Sequence, residues 1–363
     1  MAEVTTAMVK QLRELTGAGV LACKNALVAN DGDIDKAVEE LRKSGEAKAV
    51  KKANRIAAEG IVKVTVDGDT AVIVEVNSET DFVAKNEKFQ NYVSDVAKQV
   101  RNTAANAVEG LLAENWVADA AKTVNDELIN MIATIGEKIS IRRFEKIVSD
   151  DMLVSYTHGG GRIGVIVEAS GSNKEADEEA LKNIAMQVAA MNPQYISRED
   201  MSEEELAKLK EITVDSSLNT PDTLPKPILN KLIAEALEKG VWSAEDVATY
   251  EEQKNNMNYL FNFLSSDAKT AIAGLAMEHK DDISTDKIFC GLVDGRLSKQ
   301  IKENCLLDQT YVKAEDGKQT VAQYLKSVDP DLKIKRMVRY EVGEGIEKRN
   351  ENFAEEVAKQ MGL

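Results

Sequence analysis

The chain carries one apolar pattern twice, and this repeat constrains the fold more than any other feature. Residues 71–75 (AVIVE) match residues 164–168 (GVIVE), so Val74 corresponds to Val167 at an offset of 93 residues (167 − 74). A short run rich in β-branched residues is typical of a buried strand. A chain that repeats such a strand is expected to fold into two similar halves.

The same elements flank both copies of the strand. An extended run closed by a tight turn precedes each copy: 61–66 before Asp67-Gly68, and 153–157 before Gly159-Gly160-Gly161. A helical apolar pattern follows each, with Phe89, Tyr92, Val93 and Val96 in the first and Leu181, Ile184, Ala185 and Val188 in the second. Later strands contain an Arg, an aromatic residue and a Glu, at 143–145 and at 339–341. We predict an α+β core of two duplicated antiparallel β-hairpin/helix subdomains.

The loops between strand and helix differ in a way that suggests function. The first copy has Thr80, Asp81, Phe82 and Val83, whereas the second has the polar run 170–174 (SGSNK). Connecting segments lie on the surface, where an aromatic ring gains little by exposure to water. If the scaffold alone required Phe82, the second loop would carry a similar residue. We therefore expect the ring to be exposed and received by a partner.

Composition excludes several classes of protein. The chain has 363 residues, enough for two or three domains, and 46 Lys and Arg against 62 Asp and Glu give a net charge of −16. This charge argues against a protein that mainly binds nucleic acid or anionic membranes. Three scattered cysteines indicate neither a disulfide framework nor a zinc site. Without a signal peptide pattern or a spanning apolar run, we expect a cytoplasmic protein.

The first 55 residues predict a separate three-helix module. Thr5 or Thr6 can cap the first helix, which ends at residues 16–19 (TGAG), and Asp33 can cap the third. Val20 and Leu21 follow the glycine turn and either form a docking patch or close the small bundle. Basic residues then cluster from Arg42 to Arg55, either as a solvated helical linker or as a stripe for an acidic partner or ribosomal RNA.

Residues 201–285 read as an insertion into the second copy. They combine acidic helical patterns with three of the five prolines in the chain, Pro221, Pro225 and Pro227. The insertion is expected to form a helical arm, with its aromatic residues packed within the arm: Trp242, Tyr259, Phe261 and Phe263.

The sequence shows no catalytic or metal-binding motif. His158 and His279 are the only histidines, and they are too far apart in sequence to suggest a metal site. The acidic run from Asp31 lacks the glycine and glutamate of a calcium loop. The glycines at 159–161 join two strands and lack the ending of a phosphate-binding loop. We expect neither enzyme activity nor a cofactor.

Two long motifs resemble the bacterial elongation factor Ts family. The first is 12–19 (LRELTGAG) with 23–27 (CKNAL), and the second is 75–85 (EVNSETDFVAK). The similarity continues through shorter segments at 43–45, 135–139, 158–159, 162–165 and 340–347. It covers nearly all of the chain outside 201–285, where this family carries a helical protrusion of variable length.

This resemblance implies a guanine-nucleotide exchange factor for elongation factor Tu. By similarity, Thr80, Asp81, Phe82 and Val83 would form the loop that disturbs the partner's Mg²⁺ site and releases GDP. Further contacts with the partner would come from a helix after Gly345 and from seven residues: Val20, Leu21, Lys24, Lys52, Ile135, Gly136 and His158. The protein would bind both the GDP-bound and the nucleotide-free partner, and it would need no nucleotide site of its own.

The resulting domain map has five parts. Residues 1–55 form a UBA-like docking module, 56–145 the first core subdomain, 146–200 with 286–342 the second, 201–285 the arm, and 343–363 a C-terminal helical module. Two other functions are kept as alternatives: a scaffold that docks unrelated chains through the three-helix module, and a ribosome-associated RNA-binding protein. The sequence leaves open whether two copies pair through the arm.

Overall fold

The computed structural model describes residues 4–16 and 18–347, apart from the side chain of Asn258. The chain divides into two compact units: the residues up to Asn192 together with those from Ala322 onward, and Pro193–Val321. Helices and antiparallel sheets are both present, which confirms the predicted α+β class. The C-terminal module predicted at 343–363 lies mostly outside the described residues.

Three helices form the N-terminal module: α1 (Thr6–Thr16), α2 (Val20–Ala29) and α3 (Ile34–Lys52). Asp33 caps α3, since its side chain accepts a hydrogen bond from the Lys36 backbone N–H, as the sequence predicts. A small apolar core holds the helices together through Leu12, Cys23, Ala26, Leu27 and Ala37. Val20 and Leu21 stay outside this core, with 55% and 70% of their surface exposed.

The first half of the core consists of a three-stranded sheet (β1, β2 and β5), a separate two-stranded sheet (β3 and β4) and helices. Its elements are β1 (Glu59–Asp67), β2 (Thr70–Ser78), α4 (Asp81–Ala84), α5 (Glu87–Asn102), α6 (Val108–Ala113), β3 (Asn115–Trp116), β4 (Asp119–Thr123), α7 (Val124–Ile135) and β5 (Ile139–Val148). The central strand β2 pairs antiparallel with both β1 and β5. The amphipathic helix α5 buries Phe89, Val93 and Val96 in the core beside β2.

The second half has the same strand order. It consists of β6 (Met152–His158), β7 (Ile163–Ser170) and α8 (Lys174–Met191), then, after the second unit, β8 (Lys333–Glu341). The pairing of β2 with β5 shifts register between Glu75 and Val76, and that of β7 with β8 shifts between Glu168 and Ala169. The two irregularities are 93 residues apart (168 − 75), the offset of the sequence repeat.

In the third strands, positions in the ladder do not follow the shared pattern of Arg, aromatic residue and Glu. Arg143 lies opposite Glu75 and Arg336 lies opposite Glu168 at the matching position, so Arg143 corresponds to Arg336 and not to Arg339. The backbone ladder sets the register, and an odd shift places a side chain on the opposite face of the sheet. Similar residue types in two strands therefore did not identify equivalent positions.

The two sheets approach each other closely where β7 crosses β1. A Cβ built on Gly164 would lie 2.5 Å from Cγ1 of Val62 and 2.5 Å from Cγ2 of Val64, so no larger residue has room there. The Val62 N–H donates to the Gly161 carbonyl oxygen at 2.7 Å. Apolar side chains from both sheets fill the space around this contact, including Ile73, Ile147, Ile166 and Val338.

A buried carboxylate also joins the two halves. Glu75 has no exposed surface, and its oxygens accept hydrogen bonds from Arg142, Arg143, Asn77 and the Gly343 backbone N–H, the last at 2.8 Å. Burial by itself would raise the pKa of Glu75, but the hydrogen bonds from Gly343, Asn77 and Arg143 outweigh it and hold the pKa below 4.5. This network fixes the turn after β8 against β2.

The second unit is helical and longer than the predicted arm. After a turn at Arg198–Asp200 it contains α9 (Glu203–Leu218), a turn at Pro221–Thr223, α10 (Lys226–Glu238), α11 (Ala244–Gln253), α12 (Met257–Phe263), α13 (Ser266–Glu278), α14 (Lys280–Ile283), α15 (Lys287–Asn304) and a turn at Leu306–Asp308; α16 (Val321–Val328) follows. The unit extends beyond 201–285 because Tyr195 pairs with Cys305 and the Leu306 N–H donates to the Tyr195 carbonyl oxygen.

The aromatic residues of this unit behave in two ways. Trp242 is buried and donates to the Ala268 carbonyl oxygen at 3.1 Å, as self-packing predicts. Tyr259 and Phe263 are 56% and 60% exposed, so the prediction is wrong for them. On the short helix α12 the core face is taken by Leu260 and, just beyond its end, Leu264.

All three cysteine thiols are free. Among residues 4–16 and 18–347, no helix combines the length and the apolar composition needed to cross a lipid bilayer.

We predict that Glu75→Gln lowers the free energy of unfolding at neutral pH by about 2–3 kcal/mol, because Arg143 and the Gly343 N–H lose a buried charged acceptor. Because the folded-state pKa lies below the ordinary value, this stabilisation is present above about pH 4.5 and is lost as the pH falls. Urea unfolding of both proteins at about pH 7 and about pH 3 measures the difference. A stability gap that does not shrink in acid would contradict the assignment.

Candidate functional site

The loop that carries Phe82 starts a short helix at the end of β2. Thr80 has extended backbone angles (φ −125°, ψ 155°), and its side chain accepts a hydrogen bond from the Val83 N–H, so it caps α4. Asp81 follows in the first turn, where a negative charge is favourable beside the helix N-terminus. Asn86 then caps α5 through the N–H groups of Lys88 and Phe89. Two successive caps therefore fix where the chain turns.

Neighbouring apolar residues of this loop face in opposite directions. Phe82 is 80% exposed, whereas Val83 is only 9% exposed and belongs to the core cluster that also contains Phe89. The prediction that the Phe82 ring is exposed is therefore confirmed. Val83, which the resemblance includes among the four residues of the Mg²⁺-disturbing loop, anchors the loop to the core.

Asp81 is held by a neighbour on the same helical face. Its Oδ2 accepts a hydrogen bond from Lys85 Nζ at 2.7 Å, and this contact lowers the pKa of the carboxyl group. Half of the carboxylate side chain is exposed, and so is most of the Lys85 side chain. The acid is thus ionised at neutral pH and accessible beside the Phe82 ring.

A carboxylate from a distant segment holds the base of the loop. Glu137 Oε2 accepts hydrogen bonds from the backbone N–H groups of Glu79 at 3.1 Å and Thr80 at 3.0 Å, and its Oε1 accepts from the Thr80 hydroxyl at 2.7 Å. In return, Glu79 Oε1 accepts from the Lys138 N–H at 2.6 Å. Residues 79–80 and 137–138 therefore hold each other through two carboxylates.

Three of the other predicted site residues lie beside this loop. Gly136 ends α7 in the left-handed conformation (φ +86°), and its carbonyl oxygen accepts a hydrogen bond from Lys52 Nζ. Ile135, the last residue of α7, is half-buried. These three residues therefore lie next to Glu137, which directly contacts Thr80.

The remaining predicted residues lie on other elements of the same unit. Val20, Leu21 and Lys24 are exposed on α2. His158 is exposed at the end of β6, where its Nδ1 lies 3.0 Å from the Tyr156 hydroxyl. None of these four is joined to the loop by a direct hydrogen bond among the contacts of the described residues.

Sequence reasoning assigned no role to two residues that brace the loop. Glu137 belongs to a motif that resembles the family and Arg55 to a basic stripe, but neither pattern indicates a contact with the loop. Arg55 forms an ion pair with Glu79 at 3.1 Å.

The site contains no evident metal centre. Within the described ranges, no group of three or more His, Cys, Asp and Glu side chains is arranged to hold a metal ion.

Comparison with known proteins gives the class of the chain: it is a translation elongation factor. The family model described as "Elongation factor TS" matches residues 79–258 and 262–344, which include both the Phe82 loop and Glu137. Elongation factor Ts of Clostridioides difficile (strain 630) is 40% identical over 366 aligned residues, which cover 99% of this chain and 100% of that protein. The chain therefore belongs to the elongation factor Ts family.

We predict that Val83→Ala lowers the free energy of unfolding by about 1–2 kcal/mol, because two buried methyl groups are lost from the core. Phe82→Ala should change it by less than about 0.5 kcal/mol, because the ring is exposed. Denaturant unfolding of both variants measures the two effects. A larger loss for Phe82→Ala than for Val83→Ala would mean that the ring supports the fold.

Proposed function

We propose that this protein is the guanine-nucleotide exchange factor of elongation factor Tu. It binds the GDP complex, promotes GDP release and so allows GTP to rebind. The observation that carries this proposal is the exposed Phe82 ring beside an ionised Asp81, on a loop whose base is held by Glu137. Membership of the elongation factor Ts family supports it independently.

In the proposed mechanism the Phe82 loop displaces groups around the partner's Mg²⁺ ion. Magnesium requires near-ideal octahedral geometry and offsets the negative charge of the phosphates in bound nucleotides. A small displacement of the Mg²⁺ ligands therefore weakens the binding of both Mg²⁺ and GDP to the partner. Phe82 would act as an apolar wedge and Asp81 as an acid that orients the contact. No covalent bond forms or breaks, so we propose a catalyst of dissociation and not an enzyme.

One ring is too small to hold the complex by itself. Burial of a Phe side chain contributes about 1.5–3 kcal/mol, which is comparable with the cost of moving a few side chains but is far below a stable binding energy. The rest of the interface would supply affinity through residues exposed or half-buried on the same unit: Val20, Leu21, Lys24, Lys52, Ile135, Gly136 and His158. The helix expected after Gly345 lies mostly outside the described residues.

Thermodynamic linkage constrains this mechanism. If the protein weakens GDP binding to the partner, GDP must weaken binding of the protein to the partner by the same factor. The nucleotide-free partner is therefore the tightest-binding form. The protein itself needs no nucleotide site for this reaction.

Two basic residues of α3 are paired with acids, which weighs against the RNA-binding alternative. Arg42 forms ion pairs with Glu39 at 3.0 Å and with Glu46 at 2.7 Å, and Lys43 contacts Glu39 at 3.3 Å. These pairs reduce the positive charge that Arg42 and Lys43 present to phosphates. The scaffold alternative and the pairing of two copies through the insertion stay predictions without a specific contact in their favour.

We predict that Phe82→Ala slows GDP release from elongation factor Tu about 10- to 100-fold when this protein is at saturating concentration. The reason is that burial of the Phe82 ring on the partner, which contributes about 1.5–3 kcal/mol, is lost. Stopped-flow fluorescence with a labelled GDP measures the rate. Phe263→Ala is a matched control, because this ring is also exposed but lies in the other unit. Asp81→Ala should have a smaller effect.

Unchanged GDP release with Phe82→Ala would exclude the wedge role. An equal loss with Phe263→Ala would show that the assay reports a general effect of removing surface rings.

A further inference from the structure

In both halves of the core, one carboxylate accepts hydrogen bonds from the loop that follows the central strand. In the first half, Glu137 accepts hydrogen bonds from the N–H groups of residues 79 and 80 and from the Thr80 hydroxyl. In the second half, Asp329 Oδ2 accepts from the Ser172 N–H at 2.7 Å, the Asn173 N–H at 3.2 Å and the Ser172 hydroxyl at 2.7 Å. The paired N–H groups are 93 residues apart (172 − 79), the offset of the repeat.

The residues after each clamped pair differ between the halves. Helix α4 starts at Asp81 and α8 at Lys174, again 93 residues apart (174 − 81). At the next position the first half has the exposed Phe82, whereas the second has Glu175. The same clamp therefore supports an aromatic ring in one half and an ordinary helix start in the other. The second half is an internal control for the first.

The clamp and the core fix both sides of Phe82. On one side Thr80 is bound to Glu137, and its hydroxyl oxygen also accepts from the Val83 N–H at 3.4 Å. On the other side the Val83 side chain is buried in the core. Phe82 lies between two fixed points, so its backbone has little freedom although its side chain is exposed.

We propose that Glu137 is a positioning residue for nucleotide exchange, a proposal that rests on the function proposed above. Its carboxylate holds residues 79 and 80 so that Phe82 is presented in one orientation before the partner arrives. A preordered loop favours displacement of the partner's side chains. A mobile loop would have to become ordered on binding, and the free-energy cost of that ordering would reduce the binding energy available for the displacement. Glu137 itself need not touch the partner.

Glu137 is held in place by its own surroundings. The preceding Gly136 has a left-handed conformation, which directs the chain out of α7. The next residue, Lys138, donates its N–H to Glu79 and its side-chain Nζ to the Arg55 carbonyl oxygen at 2.8 Å. Lys52 Nζ contacts the Gly136 carbonyl oxygen. The clamp is therefore anchored to α3 as well as to the loop.

The test combines two variants of Glu137 with two readouts. Glu137→Gln keeps the shape of the side chain but loses the charge, and Glu137→Ala removes the acceptor. Amide hydrogen exchange of the free protein should accelerate at Glu79 and Thr80 by about tenfold or more, because hydrogen bonds to a charged acceptor are lost. Far-UV circular dichroism and thermal unfolding establish that both variants remain folded.

The second readout is GDP release from elongation factor Tu over a range of factor concentrations. The maximal rate should fall about tenfold for Glu137→Ala and by less for Glu137→Gln. The half-saturating concentration should change less than about threefold, because the other contacts supply most of the affinity. In a Phe82→Ala background, Glu137→Ala should cause no further loss, since it acts through the ring.

Asp329→Asn is the matched control. It should accelerate amide exchange at Ser172 and Asn173 and leave the maximal rate of GDP release unchanged. The proposal is overturned if the Glu79 and Thr80 amides stay protected in Glu137→Ala. It is also overturned if the losses from Glu137→Ala and Phe82→Ala are additive, or if Asp329→Asn slows release equally.

Failure of the proposed function can be distinguished from failure of this inference. If the unsubstituted protein does not accelerate GDP release, the exchange function is wrong and the positioning role falls with it. The amide exchange data would then still show whether Glu137 orders the loop. If the unsubstituted protein accelerates GDP release and Glu137→Ala accelerates it equally, the exchange function stands and the positioning role of Glu137 alone is wrong.

Discussion

One carboxylate from a distant segment sets the orientation of the loop that carries Phe82. Glu137 satisfies two backbone N–H groups and one hydroxyl at the end of β2, and these contacts span 57 or 58 residues of sequence. Buried or half-buried backbone groups need such partners, because an unpaired N–H group costs free energy. Because the base of the loop is fixed and Val83 lies in the core, the Phe82 ring is already exposed in the folded protein before any partner binds.

The duplicated core supplies two equivalent loops, and only one of them carries an exposed ring. Two sheets of the same strand order, with register shifts 93 residues apart (168 − 75), provide two loops with the same type of carboxylate clamp. Gly164 and the Glu75 network lock the halves together, so each loop is presented from a rigid base. One loop continues directly into an ordinary helix and the other presents an aromatic residue. This division fits the proposed role, in which only the Phe82 loop disturbs the partner's nucleotide site.

Much of the architecture could be predicted from local patterns. The apolar repeat predicts both hairpins, both following helices and the α+β class, and the polarity of connecting loops predicts the exposure of Phe82. The register of the third strands could not be predicted, because the backbone ladder determines it and not the similarity of residue types at 143–145 and 339–341. Glu137 was missed because its role depends on a contact with Thr80 that folding alone creates. Tyr259 and Phe263 were misplaced because Leu260 and Leu264 occupy the core face of a short helix.

The central claim is that the Phe82 ring, exposed in the free protein, becomes buried on elongation factor Tu. Hydroxyl-radical footprinting of the free protein and of its complex with the nucleotide-free partner measures this directly, with Phe263 as an exposed reference ring. We expect Phe82 to be labelled readily when the protein is free and to lose most of its labelling in the complex, while Phe263 is labelled equally in both. A Phe82 ring that stays as reactive in the complex as in the free protein would contradict this claim.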